Sequence, residues 1–249
     1  VHHDLGLAYF GMRNYGPALD HVKQAIRRNH AIYTYYLSLS RIYASLHNDV
    51  MAMAVLDSAL NYDRSLEAVW IAKGDIHKTA EQYEDALNDY KIASSYNLDD
   101  WKGYYKQGVV LYYLGRLDSA QSVLEVAAEK NPHESGINHF LGLVHLEKNN
   151  PIDAQLYLIT AVEKDSVNGD IWFHLGQAYK HLKKFEEARV SLESAVGIDS
   201  THAEALYALG QIYTKLDQKE KSQIVLKQFK VVSDFEKAEK KLKKQLSLN

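Results

Sequence analysis

The stretch IWFHLGQAYK, residues 171–180, contains a Leu-Gly pair that is compatible with two different structures. Gly176 could lie in a loop that approaches a ligand, or it could let two helices pack closely. The same pair recurs at residues 141–142 and at residues 209–210, at equal distances before and after it. A ligand-binding glycine has no reason to recur at a constant interval, so we interpret Gly176 as a packing residue of a repeated unit.

The 34-residue interval continues through the chain without an insertion or a deletion. The glycine column contains six of the thirteen glycines and one serine: Gly6, Ser40, Gly74, Gly108, Gly142, Gly176 and Gly210. Sixteen positions later there is a bulky column: Val22, Leu56, Tyr90, Leu124, Leu158, Leu192 and Leu226. Four positions before the bulky column there is a second small column: Ala18, Ala52, Ala86, Ala120, Ala154, Ala188 and Ser222. Small residues let helix axes approach and bulky residues fill the neighbouring gaps, so these columns predict packed helices.

Each repeat contains two runs of apolar residues at spacings of three, four and seven, which is typical of two amphipathic helices. A short polar break separates the two runs. Pro17 and Pro151 fall in the first turn of a predicted second helix, where a missing N–H costs little. Pro132 falls in the turn between two repeats. The sequence therefore predicts an all-α protein.

A helix-turn-helix unit of this length and with this order of residue types resembles the tetratricopeptide repeat family. In the repeat quoted above the pattern is carried by Trp172, Leu175, Gly176, Tyr179, Ala188, Leu192 and Ala195. Pro132 stands at the proline column of the family in the fourth repeat. The resemblance extends over about residues 1–236 and implies a right-handed α-solenoid of stacked helix-turn-helix repeats. The departures from the pattern are Ser40, His77, Leu111, His145, Ser222 and Phe229.

We divide the chain into an array at residues 1–233 and a C-terminal capping helix at residues 234–249. The seven repeats of the array are expected at about 1–32, 33–66, 67–100, 101–134, 135–168, 169–202 and 203–233. A solenoid needs a polar cap on its terminal face. The last segment has apolar residues at helical spacing, with lysines and acidic residues on its other faces; the apolar positions are Phe235, Ala238, Leu242 and Leu246.

Composition excludes several classes of function. A formal net charge of −3 provides no basic surface for nucleic acid, and cysteine is absent. No apolar run approaches the ~18 residues of a membrane span. No signal peptide is visible. Because the chain begins at Val1, a signal peptide that has been removed stays an alternative. The compartment is unknown: the cytoplasm is favoured, and a periplasmic or lipid-anchored protein is the alternative.

The sequence contains no recognisable catalytic or metal-binding motif. The twelve histidines include no pair with the i, i+4 spacing of a zinc-binding helix, and His77 and His145 occupy a packing column. Paired acidic residues lie beside predicted turns, where they act as helix caps. We therefore predict no catalytic residue, no metal and no cofactor.

One stripe of the first helix of each repeat packs inside the repeat, and a second stripe is left over. The second stripe consists of the residues two before, two after and five after the leucine of each Leu-Gly position. The resemblance implies that this stripe faces a concave groove in which partners bind. Aromatic residues there would act as rigid anchors, amides would bond a peptide backbone, and lysines would meet carboxylates. The candidate partner-binding residues are Lys102, Tyr105, Lys106, Val109, Tyr112, His139, Leu143, Phe173, Gln177, Tyr207 and Gln211. In the second and third repeats the stripe is Leu37, Arg41, Ala44, Ile71, Asp75 and Lys78. The alternative is that part of the stripe packs between neighbouring first helices.

The favoured function is a non-enzymatic scaffold that binds a protein or peptide segment in the groove. One alternative is the substrate- or partner-recruiting region of a larger enzyme, such as a glycosyltransferase or a kinase. The other is a self-assembling scaffold that associates through its end repeats.

Overall fold

The computed structural model describes residues 1–246, except for the side chains of residues 244 and 246. Within that range the chain forms fourteen α-helices and no strand. The helices are α1 (His2–Gly11), α2 (Tyr15–Arg28), α3 (Tyr33–Ser45), α4 (Asp49–Leu60), α5 (Glu67–Thr79), α6 (Tyr83–Tyr96), α7 (Trp101–Tyr113), α8 (Leu117–Lys130), α9 (Ser135–Glu147), α10 (Pro151–Lys164), α11 (Gly169–His181), α12 (Phe185–Ile198), α13 (Ala203–Lys215) and α14 (Lys219–Leu246). The all-α prediction is confirmed.

Each predicted repeat contributes one pair of helices, and the two members of every pair pack against each other. The three prolines lie where the sequence predicts them, in the first turns of α2 and α10 and in the turn before α9. The chain forms two compact blocks, which we call the N-terminal block (Val1–Lys130, with α1 to α8) and the C-terminal block (from Asn131, with α9 to α14). No helix among residues 1–246 is long and apolar enough to cross a membrane.

The glycine column is a packing column, as the sequence predicts. A Cβ atom added to Gly142 would lie 2.5 Å from Cγ of Leu158, and one added to Gly176 would lie 2.7 Å from Cγ of Leu192. Both leucines are fully buried, so they have no free space to move into. The contact joins the two helices of one repeat, and the alanines of the second small column are also fully buried: Ala18, Ala52, Ala86, Ala120, Ala154 and Ala188.

A further periodic feature lies in the turn inside each repeat. One residue there has positive φ in every repeat: Arg13, His47, Glu81, Gly115, Asn149, Lys183 and Asp217. In the fourth repeat the N–H of Gly115 donates to the carbonyl of Tyr112, and the N–H of Arg116 donates to that of Leu111. This pair of bonds closes the C-terminus of a helix when the residue after the cap is left-handed. Six of the seven positions hold a residue with a Cβ, which is why the column is not visible as a glycine pattern.

The C-terminal segment differs from the expected separate helix. There is no break near residue 233, because α14 runs without interruption from Lys219 to Leu246. Phe235 is 70% exposed and Leu242 is 56% exposed, so their side chains do not pack as a cap. The part of the expected cap at residues 247–249, and the side chain of residue 246, lie outside the described residues.

We predict that Gly142→Ala destabilises the protein by about 1–3 kcal/mol, because its new methyl group overlaps the buried Leu158. The matched control is Gly197→Ala, since Gly197 is also helical and a Cβ there would meet nothing within 4 Å. The control should stabilise the protein by up to about 1 kcal/mol through helix propensity. Chemical denaturation measures both, and equal effects of the two changes would contradict the packing role.

We also predict that Gly115→Ala costs about 1 kcal/mol, although a Cβ at Gly115 would meet nothing within 4 Å. The reason is its φ of +69°, which an alanine adopts only at a cost. The same denaturation experiment separates this backbone effect from the steric effect at Gly142. A stability of Gly115→Ala equal to that of the natural chain would show that this turn relaxes to another conformation.

Candidate functional site

The eleven candidate residues lie on four first helices. Five are on α7 in the N-terminal block, and six are on α9, α11 and α13 in the C-terminal block. Two of the eleven belong to the core: Val109 is 6% exposed and Leu143 is 8% exposed. Their inclusion is corrected here, because a buried side chain is not available to a partner.

The two candidate tyrosines of α7 are half-buried and contact other rings. The Tyr105 ring lies 5.9 Å from that of Trp101, and the Tyr112 ring lies 5.7 Å from that of Tyr113. Both distances are within the range of favourable ring pairs. Each tyrosine therefore presents part of a ring that its neighbour holds in place.

Lys106 forms an ion pair within the array. Its Nζ lies 2.6 Å from Oδ1 of Asp75 in the preceding repeat, and the hydroxyl of Tyr90 donates to the same oxygen at 2.7 Å. Burial and the nearby Asp75 raise the pKa of Tyr90, so its hydroxyl stays a donor. Lys106, which the sequence offers for a partner carboxylate, therefore already pairs with Asp75 inside the array, and its contact with a partner stays a prediction. Lys102 is exposed and lies 3.7 Å from Oδ2 of Asp100.

A pocket of about 360 Å³ lies on the same face in the second and third repeats, lined by α3 and α5. Five of its lining residues are positions of the predicted stripe: Leu37, Arg41, Ala44, Ile71 and Asp75. Arg41 is exposed at the pocket, with its guanidinium carbon 5.1 Å from the centre of the Phe10 ring. The pocket is therefore apolar, with one cation at its edge.

In the C-terminal block Tyr207 is the most open of the candidates, at 47% exposure, and its ring lies 5.2 Å from that of Phe229. Gln211 accepts a hydrogen bond from Nζ of Lys180 at 2.8 Å, and Gln177 is half-buried. Phe173 packs 4.9 Å from the ring of His202.

Three histidines lie around Asp170 in this block, one from the fifth repeat and two from the sixth. Nε2 of His139 lies 3.0 Å from Nδ1 of His174, and that Nδ1 lies 2.7 Å from the carbonyl oxygen of Asp170. Since a carbonyl only accepts, Nδ1 of His174 is the donor and Nε2 of His139 is an acceptor. Nε2 of His202 lies 3.2 Å from the Asp170 carboxylate. His139 thus packs between first helices, and its place among the partner-binding residues stays a prediction.

Burial lowers the pKa of His139 to about 4, with a further lowering from His174. Burial also lowers the pKa of His174. Among residues 1–246, no three histidines, aspartates or glutamates are placed to hold a metal ion. At neutral pH the His139–His174 pair is therefore an uncharged link between α9 and α11.

The sequence analysis does not single out the His139–His174 pair or the pocket, for two different reasons. The separation of His139 and His174 is one residue longer than the repeat, so the two histidines do not share a column. Five of the pocket residues do share the stripe, but the pocket lining is mainly aliphatic and lacks the aromatic side chains that singled out α7. A search for pairs one residue off the repeat would have found the histidines.

Family models described as tetratricopeptide repeat match residues 71–135, 169–202 and 203–229. Together the matches cover about half of the chain, and the helix pairs follow the repeat of the sequence without a shift. The chain belongs to the tetratricopeptide repeat family.

Several known proteins are similar to it. The repeat region matches anaphase-promoting complex subunit 3 of Schizosaccharomyces pombe at 27% identity over 94 residues, which is 38% of this chain and 14% of that protein. The chain thus spans only a small part of this relative. The structure of YrrB, described as a protein with an unusual peptide-binding site, aligns at a TM-score of 0.58 and 23% identity, over 75% of this chain and 96% of that one.

Two further structures share the fold. A tetratricopeptide repeat protein from Parabacteroides merdae aligns at a TM-score of 0.70 and 15% identity, over 93% of this chain and 91% of that one. The Cut9–Hcn1 hetero-tetramer of the anaphase-promoting complex aligns at 0.74 and 16% identity, over 89% of this chain and 46% of that chain.

We predict that the protein loses stability as the pH falls from about 6.5 towards 4. The unfolded His139 binds a proton at its ordinary pKa of about 6.5, whereas the folded one stays neutral down to about 4. Between those values the unfolded state holds more protons, so acid favours it. The loss should be on the order of 2 kcal/mol between pH 7 and pH 4.5.

Denaturant titrations at several pH values check this prediction on the natural chain and on His139→Gln, which carries no titratable group there. The variant should show a shallower loss, while the exposed His181→Gln serves as the matched control and should keep the full slope. A His139→Gln protein with the slope of the natural chain would exclude His139 as its source.

Proposed function

We propose that the chain is a non-enzymatic scaffold that binds a protein or peptide on the open stripe of its first helices. The observation that carries the proposal is the apolar pocket between α3 and α5, with Arg41 exposed at its edge. Family membership supports it, since tetratricopeptide repeat proteins are generally interaction scaffolds. YrrB is itself described as peptide-binding, which agrees with this assignment.

The chemistry of the pocket favours a bulky apolar side chain beside a carboxylate. At about 360 Å³ the volume suits one large side chain, and its walls are mainly aliphatic. Asp75 is neutralised by Lys106, so Arg41 dominates the charge at the pocket. Lys78 of the stripe and the exposed Lys102 at the start of α7 add positive charge in the same block. We therefore propose that the N-terminal block binds an acidic segment with one apolar anchor, and that Tyr105 and Tyr112 extend its contact.

For the C-terminal block we propose a more neutral contact surface. It consists of the exposed Tyr207 with Phe173, Gln177 and Gln211 beside it. An aromatic ring with adjacent amides suits a peptide backbone, because amides both donate and accept hydrogen bonds. Gln211 already accepts from Lys180, so its amide nitrogen is the group proposed to meet a partner.

The test uses peptides selected from a random displayed library against the 249-residue chain. We expect the selected peptides to share an acidic residue next to a large apolar one. Arg41→Glu should weaken their binding about tenfold, because it places a carboxylate against the acidic residue. Fluorescence anisotropy with a labelled peptide measures the change.

Arg64→Glu is the matched control, since it makes the same change of charge at an exposed site after α4. It should bind the peptides as the natural chain does. Ala68→Trp, which fills the pocket, should also weaken binding. Binding that survives both Arg41→Glu and Ala68→Trp would overturn the proposed site, and a library that yields no binder would overturn the proposed function of the N-terminal block.

A further inference from the structure

The last helix leaves an unpacked apolar stripe. Val231 is 65% exposed, Phe235 is 70% exposed and Leu242 is 56% exposed, and Ala238 between them is also exposed. These are large side chains to leave in water on one helix face. All of the residues from 234 to 243 are exposed, so nothing else in the described chain covers this part of α14.

The spacing of the stripe is that of a coiled-coil seam. The steps between Val231, Phe235, Ala238 and Leu242 are four, three and four residues, and Gln228 and Gln245 continue the same alternation at either end. A strict alternation of three and four makes a narrow seam for one partner helix, rather than the wider face of a helix buried in a core. The occupant that this seam fits is a single helix.

We propose that the seam pairs with the same helix of a second copy of this chain, in antiparallel orientation. In that register Phe235 faces Ala238 of the second copy, and Val231 faces Leu242 of the second copy. Gln228 then faces Gln245 of the second copy, where two amides can bond each other. Each bulky side chain thus meets a smaller one, and the two-fold axis passes between residues 236 and 237.

The charged residues beside the seam favour the antiparallel over the parallel orientation of the two helices. Asp234 and Lys241 flank it on the same side, and both are exposed without an ion-pair partner in the described part of the chain. The antiparallel pair brings Asp234 next to Lys241 of the second copy, and the symmetry makes this attraction twice. A parallel pair would instead bring Asp234 near Glu239 of the second copy, and like charges would oppose it. Glu239 is meanwhile occupied within its own helix by Lys243, at 2.6 Å.

The seam is short, so the dimer is expected to be reversible. About two heptads bury on the order of 1,000 Å² in total, which is at the small end of specific interfaces. Self-association through α14 does not involve the stripe of the first helices, so it is independent of the proposed peptide binding.

The experiment is a charge swap on the full 249-residue chain, followed by sedimentation equilibrium over a range of concentrations. Asp234→Lys alone should raise the dimer dissociation constant about tenfold, because it places two lysines together twice. Lys241→Asp alone should do the same. The double variant with Asp234→Lys and Lys241→Asp should return the constant to that of the natural chain.

Both residues are exposed, so the variants are expected to fold, and circular dichroism verifies this. Phe235→Ser should abolish the dimer, while Lys230→Asp, a charge change outside the pairing, is the control and should leave it intact. A natural chain that is monomeric at all concentrations overturns the proposal. If neither single charge change alters the dimer dissociation constant, or if the double variant does not restore it, the antiparallel pairing of α14 is overturned.

Discussion

The contact on which the structure depends is the one between a residue without a side chain and a fully buried bulky residue sixteen positions later. At Gly142 and Leu158, as at Gly176 and Leu192, the leucine fills the space that a Cβ would need. This contact sets how closely the two helices of a repeat can approach. The buried alanines and the leucine column then complete the interior of each pair. Because the contact recurs in six of the seven repeats, with Ser40 in place of glycine in the second, the same geometry is produced again along the chain.

The open face of the first helices shows how much of such an array is used for its own cohesion. A tyrosine from α6 and a lysine from α7 both bond one carboxylate oxygen of Asp75 on α5, so Lys106 already has a partner within the array. In the C-terminal block His139 and His174 similarly join neighbouring first helices. What remains open is the pocket of α3 and α5, together with scattered rings on α7, α11 and α13. The side chains that stay open are thus those that the contacts between helices do not use.

The sequence predicts the repeat, the helix pairs and the role of Gly176 because these depend on contacts within one repeat. It fails where the answer depends on the next repeat. Val109 and Leu143 fit the stripe by spacing, yet neighbouring residues bury them. No single residue type marks the column of left-handed turn residues, since it contains basic, acidic and amide side chains and one glycine, so the sequence does not predict it. The predicted boundary at residue 233 is also absent from the structure, because nothing in the composition there distinguishes a new helix from the continuation of α14.

The position of the glycine contact has a consequence for how arrays of this kind change length. Each glycine and its bulky partner lie in the same repeat, so a whole repeat carries both halves of its central contact with it. Removing or duplicating one full repeat in frame leaves no glycine facing the wrong partner, whereas a change of one residue inside a repeat misaligns the pair. One full repeat is thus the unit of sequence that can be gained or lost without disturbing this contact. This agrees with the absence of any insertion or deletion along the repeats.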